Sequence, residues 1–206
     1  MNSDPFRIAV VTTAYYATSH ADVIVSRWLE PRPTDPQYGW ESPQTRIASM
    51  YVEQQNVKDH EDLSAEKARR FGIPIYKTVR EALTLGGDTL AVDAVILIGE
   101  HGDYPTNEFH QKMYPRKRLF DDVVAVFESS GRSVPFFFDK HLSWDVDAVA
   151  EMSDRIRRDR LPFFGGSSTP FTPAIPEFHL PKMPDFEEIV AIYFAALEPY
   201  LFHSLE

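Results

Sequence analysis

Four short polar clusters, each following directly on an apolar run, hold most of the residues in this chain that could do chemistry. They are Thr18-Ser19-His20-Ala21-Asp22, Gly99-Glu100-His101-Gly102-Asp103-Tyr104, Asp139-Lys140-His141-Leu142-Ser143 and Gly165-Gly166-Ser167-Ser168-Thr169. Three of the seven histidines fall in them. In an open parallel sheet all strands point the same way, so whatever follows them gathers along one edge, where α/β proteins bind ligands. The pattern locates a site better than it names an occupant.

Glu100, His101 and Asp103 form the densest ionisable group, and burial would penalise it unless the members were paired, metal-bound or facing a wet crevice. A histidine with two carboxylates can act as a general acid and base, or with His20 or His141 can ligate a divalent metal. No helical histidine pair or other tight ligand spacing supports a metal, so none is assigned. The plainer alternative is a Gly102-Asp103 turn with Glu100 capping a neighbouring helix. After another apolar run, Lys140 can direct a charge at a hydroxyl, carbonyl or phosphate, and Ser143 is a natural helix cap. The catalytic candidates are therefore Glu100, His101, Asp103, Lys140 and His141. The Gly165–Thr169 run offers open amides and three hydroxyls to an anion or sugar, or is a simple loop.

The elements that must position these residues are legible from periodicity. Ile8–Val11 is a short apolar run suited to a central strand covered on both faces. Ser19 with Asp22 is a capping-box pattern opening a helix to about Glu30, which Pro31 and Pro33 end. Ile47–Val52 follows as a strand, then a Leu63–Phe71 helix capped by Asp62 or Ser64 and closed by Gly72, a peripheral strand over 73–76, and a Thr78–Leu85 helix. Ala94–Ile98 is the strongest strand, followed by a helix from about Lys117 to Ser129. Val134–Phe138, a helix from about Trp144 to Arg158, and Pro162–Phe164 complete the alternation. Such an order indicates an α/β fold with a doubly wound, mostly parallel sheet and helices on both faces. Residues 171–206 read as a proline-rich connection and a C-terminal helix.

Composition narrows the function classes. Lys and Arg number 21 against 31 Asp and Glu, a net charge of −10 that disfavours nucleic acid and anionic membrane as partners. The basic runs Arg116-Lys117-Arg118 and Arg155–Arg160 read as solvated helix faces. There is no cysteine, hence no disulfide, thiolate ligand or cysteine nucleophile. Neither a signal peptide nor a membrane span is apparent, and a cytoplasmic protein with a small-molecule ligand, able to form a homo-oligomer, is expected.

The Val134–Ser143 stretch, the helix after it and Pro162–Ser168 together resemble the Glu-Lys-Pro region of the glucose-fructose oxidoreductase/inositol dehydrogenase (Gfo/Idh/MocA) family. The resemblance covers roughly residues 6–170. It implies a Rossmann-type domain over 1–170, of which 171–206 continues as the remnant of a second α/β domain, and oxidation or reduction of a sugar, polyol or related metabolite with NAD or NADP. Lys140 would match the family lysine, with Asp139 in place of its glutamate and His141 in place of its proline. Glu53 would stand where an acid holds the adenosine ribose, and His203 would match a catalytic histidine. Thr12, Thr13, Ser19, His20, Glu53 and Gly99 are then the candidate cofactor contacts. This sequence departs from the pattern in its first strand-to-helix turn, which contains no glycine. Two readings from other classes stay open: a non-catalytic ligand-binding or scaffold protein, and a metal-assisted hydrolase or isomerase using His20, Glu100, His101 and His141.

Overall fold

The computed structural model describes residues 5–30 and 44–166, within the first of the chain's two units, Met1–Gly166 and Ser167–Glu206. The proline-rich stretch after residue 30, the hydroxyls of the Gly165–Thr169 cluster, the expected tail helix and His203 lie outside the described residues. The elements are β1 (Phe6–Ala14), α1 (His20–Leu29), β2 (Thr45–Gln54), α2 (Ser64–Phe71), β3 (Ile75–Tyr76), α3 (Val79–Thr84), β4 (Ala94–Ile98), α4 (Arg116–Ser129), β5 (Phe136–Asp139), α5 (Val146–Arg158) and β6 (Phe163–Gly166).

The strands form one sheet in the order β3-β2-β1-β4-β5-β6, every neighbouring pair parallel. This is the doubly wound Rossmann-type order, with its topological switch point between β1 and β4. Successive strand side chains point to opposite faces, so a strand covered on both sides must be apolar throughout. In β4, Val95 and Leu97 enter one core with Phe120, Val123 and Phe127 of α4. Ile96 and Ile98 enter the other with Ala21 and Val25 of α1. The alternating order thus serves two cores and delivers the ends of β1, β4 and β5 to one edge.

Local chemistry sets where the helices begin and end. Ser19 caps α1, its Oγ accepting from Asp22 N. The Asp22 carboxylate accepts from Thr18 N at 3.0 Å rather than from Ser19 N, which donates instead to Tyr16 O, so the expected capping box is displaced by one residue. Helix α5 starts later than expected, because Asp145 and not Ser143 is its cap; the Asp145 carboxylate accepts from Asp147 N and Ala148 N. Gly72 ends α2 at φ +67, as expected of a C-terminal glycine. Among the described residues no helix is long and apolar enough to cross a membrane.

Candidate functional site

The segments after β1, β4 and β5 meet at the switch point. His20, the first residue of α1, places Nδ1 2.6 Å from Asp139 Oδ2 and 3.7 Å from Glu100 Oε2. Because β4 lies between β1 and β5, this contact crosses the end of β4, spanning about two strand spacings of ~4.8 Å. Among the described residues no hydrogen bond engages His20 Nε2, and the side chain is 21% exposed. An imidazole oriented through one nitrogen by a carboxylate, with the other nitrogen available, is the arrangement a general base requires.

Beneath the imidazole lies Arg116, fully buried. Its Nη2 donates to Glu100 Oε2 at 2.9 Å, and its Nη1 donates to the carbonyls of Asp139 at 2.9 Å and His141 at 2.8 Å. One guanidinium therefore ties the loop after β4 to the loop after β5. Burial draws the Arg116 pKa below its usual value, and the charges of Glu100 and Asp139 oppose that shift. Gly99 makes room for the arm, since a Cβ there would meet Arg116 Cγ at 3.1 Å.

Here the structure corrects the sequence reading of Arg116-Lys117-Arg118 as a solvated face. Lys117 and Arg118 do pair at the surface, with Asp121 and Glu53 among others, whereas Arg116 faces the interior. The readable signal was position: a cation at the first residue of a helix opposes the helix dipole and calls for a specific carboxylate partner.

The candidates named from sequence divide into two groups. His20 and Glu100 converge on Asp139, which is not among the sequence candidates and is matched there only to the family glutamate, and His101 joins them, its ring centroid 4.9 Å from that of His20 and 5.4 Å from that of Tyr16. Lys140 is buried at the end of β5 in a left-handed conformation, φ +67, with its N–H donating to Gly166 O. His141 contributes its carbonyl to Arg116. The others are engaged in holding the fold. Thr12 and Thr13 are fully buried, their hydroxyls donating to Ala14 O at 3.0 Å and Glu100 O at 2.5 Å. Buried Ser19 accepts from Tyr16 N and Asp22 N. Glu53 accepts from the Tyr104 hydroxyl at 2.8 Å and pairs with Arg118. Asp103 accepts from Lys58 N at 2.8 Å, and its backbone is clamped by Gln54.

These contacts also test the dinucleotide that the resemblance implies. A pyrophosphate needs glycines in the first turn so that backbone and helix N-terminus can approach it. This turn instead carries Tyr15, buried with its hydroxyl 2.8 Å from Ser26 Oγ, and Tyr16, stacked on His60 at 3.8 Å and bridged to Asp62. The Asp22 carboxylate accepts from Thr18 N just ahead of the helix cap, and the His20–Asp139 contact crosses the path from β1 to β5. The residues present do not fit a dinucleotide held in the ordinary way.

His101 is held neutral. Burial, reinforced by His20, lowers its pKa to about 4. A histidine depressed in the fold contributes stability above its unfolded pKa of about 6.5, and that contribution is lost as pH falls toward about 4. Urea unfolding should therefore show stability falling by about 3 kcal/mol across this window, at 1.36 kcal/mol per pKa unit. His101→Asn, which tolerates the φ of +72, should remove most of that slope. An unchanged slope in the variant would place the titration elsewhere.

No family model matches the chain, and no curated protein matches it. Among solved structures it is similar to an NAD-binding oxidoreductase from Klebsiella pneumoniae, at 16% identity and TM-score 0.49, covering 84% of this chain and 37% of that one. It is also similar to apo scyllo-inositol dehydrogenase from Lactobacillus casei, at 12% identity and TM-score 0.45, covering 81% and 37%. A third is biliverdin reductase from Synechocystis sp., solved with biliverdin and NADP+, at 14% identity and TM-score 0.42, covering 78% and 37%. The chain spans about a third of the length of the solved structures it matches. The fold assignment rests on the strand order itself, and these likenesses assign no activity.

Proposed function

We propose that the chain is an oxidoreductase-like Rossmann domain that binds a small hydroxyl- or carbonyl-bearing metabolite, of sugar or polyol type, at the switch point. His20 exchanges a proton with that ligand, and Asp139 orients it. The observation that carries this reading is the 2.6 Å contact between His20 Nδ1 and Asp139 Oδ2 at the edge where open α/β sheets bind ligands. Arg116 holds Glu100 and the β5 loop in register beneath it, supplying the rigidity that proton transfer needs. Lys140, at the end of β5, is the second polar group for the ligand.

A second reading, oxidation or reduction of such a metabolite with NAD or NADP, is favoured by one observation. Lys140 occupies the end of β5, where the resembling family carries its lysine. The first turn opposes it.

Thermal unfolding of the full chain with aldoses, polyols and sugar acids, and separately with NAD, NADH, NADP and NADPH, tests both. A ligand at 100 times its dissociation constant adds about 2.7 kcal/mol. The expected result is stabilisation by a sugar or polyol that His20→Ala and Asp139→Asn each weaken. A dinucleotide shift weakened by Lys140→Ala would select the second reading. If no metabolite stabilises the chain, or the shift survives both variants, the first reading fails.

A further inference from the structure

The side chains that the proton-transfer reading uses also make up a donor set of another kind. We infer that His20, Glu100 and Asp139 form a binding site for one divalent first-row cation, Zn2+ or Mn2+.

One ligand atom from each of the three residues lies within 4.8 Å of the other two. A cation bound at about 2.0–2.2 Å to nitrogen and oxygen in tetrahedral array sets its ligands ~3.4 Å apart. The observed separations from His20 Nδ1, 2.6 Å to Asp139 Oδ2 and 3.7 Å to Glu100 Oε2, bracket that value. To admit the ion, His20 Nδ1 and Asp139 Oδ2 must move apart by about 0.8 Å, exchanging their hydrogen bond for two bonds to the metal. Three protein ligands leave the fourth position for water or a ligand oxygen, the composition of a catalytic rather than a structural site.

Two further observations point the same way. The carboxylates of Glu100 and Asp139 are at most 14% exposed and both stand beside His20 Nδ1, so two negative charges are largely withdrawn from water at one point. A buried carboxylate without full compensation is costly, and a divalent cation supplies the compensation. Beside this group, the His101 ring lies 4.9 Å from that of His20, and its Nε2 is buried without a hydrogen-bond partner among the described residues. A buried nitrogen of this kind calls for a partner such as an ordered water, and so places polar space next to the cluster. Arg116 then serves as the outer partner that fixes Glu100, as carboxylate ligands are commonly fixed by a second hydrogen bond.

The inference does not depend on the proposed metabolite: the cation can bind where every sugar and polyol fails, and the reverse. Chelator-stripped full-length protein is titrated with ZnCl2 and with MnCl2 by calorimetry, and bound metal is counted by elemental analysis after dialysis. One equivalent is expected to remain bound and to raise the melting temperature. His20→Ala and Asp139→Asn are each expected to weaken that site at least tenfold, while circular dichroism shows the metal-free variants folded. His110→Ala, outside the cluster, should bind like the parent. Should Asp139→Asn fail to fold, Glu100→Gln replaces it, since its amide oxygen can still accept from Arg116. Retention of no metal by the parent, or equal binding by parent and His20→Ala, would overturn the site.

Discussion

Replacing Arg116 with Met should cost about 3–5 kcal/mol of stability, the range for removing one partner of a buried ion pair. The guanidinium is fully buried and makes three hydrogen bonds that join two loops. Without it the Glu100 carboxylate loses its 2.9 Å partner, and the carbonyls of Asp139 and His141 each lose a donor. Methionine fills similar space, so loss of charge and hydrogen bonding, rather than a cavity, would account for most of the change. The measurement is urea unfolding at neutral pH with the m-value monitored. Adding Glu100→Gln should recover about 1 kcal/mol or more, because the stranded charge is then gone and residues in one network do not add independently. A cost below about 1 kcal/mol in the single variant would show that Arg116 does not organise this corner.

Phe136→Ala is the second large effect, also about 3–5 kcal/mol, as for a phenylalanine truncated in a core. Phe136 is 1% exposed and its ring centroid lies 5.5–6.1 Å from those of Phe120, Phe127, Phe138 and Phe163. Phe137, one residue on, turns to the other face and stacks on Phe164, which is 68% exposed. Its truncation should cost at least about 1 kcal/mol less, because part of its surface meets water in the fold already. Thermal or urea unfolding of the two variants side by side reads the difference. Equal losses would contradict the placement of Phe136 inside the sheet-to-α4 core.

Three consecutive phenylalanines look alike in a sequence, and their unequal weight arises only when β5 settles between β4 and β6. The run as a whole was legible as a strand, as was Ala94–Ile98, because a strand covered on both faces requires uninterrupted apolar residues. The same logic gave the α/β alternation, and the chemistry of Ser19 and Gly72 marked two helix ends correctly. The start of α5 was not legible, since Ser143 and Asp145 are both competent caps and the backbone geometry selects between them.

The sequence by itself determined the class of fold and the edge at which the polar clusters gather, because periodicity and strand direction are local properties read residue by residue. It also showed that the first turn lacks glycine. Only the tertiary structure decided which of those polar residues meet. His20 and Asp139 are 119 positions apart, and their contact exists because β1 and β5 flank β4. Thr12, Thr13, Glu53 and Asp103 looked equally available, yet each had a nearer partner within the fold. Arg116 was hidden in a basic run, where charge alone argues for solvent. The burial of one arginine among three depends on which way a helix rolls against its sheet, and that is settled by long-range packing.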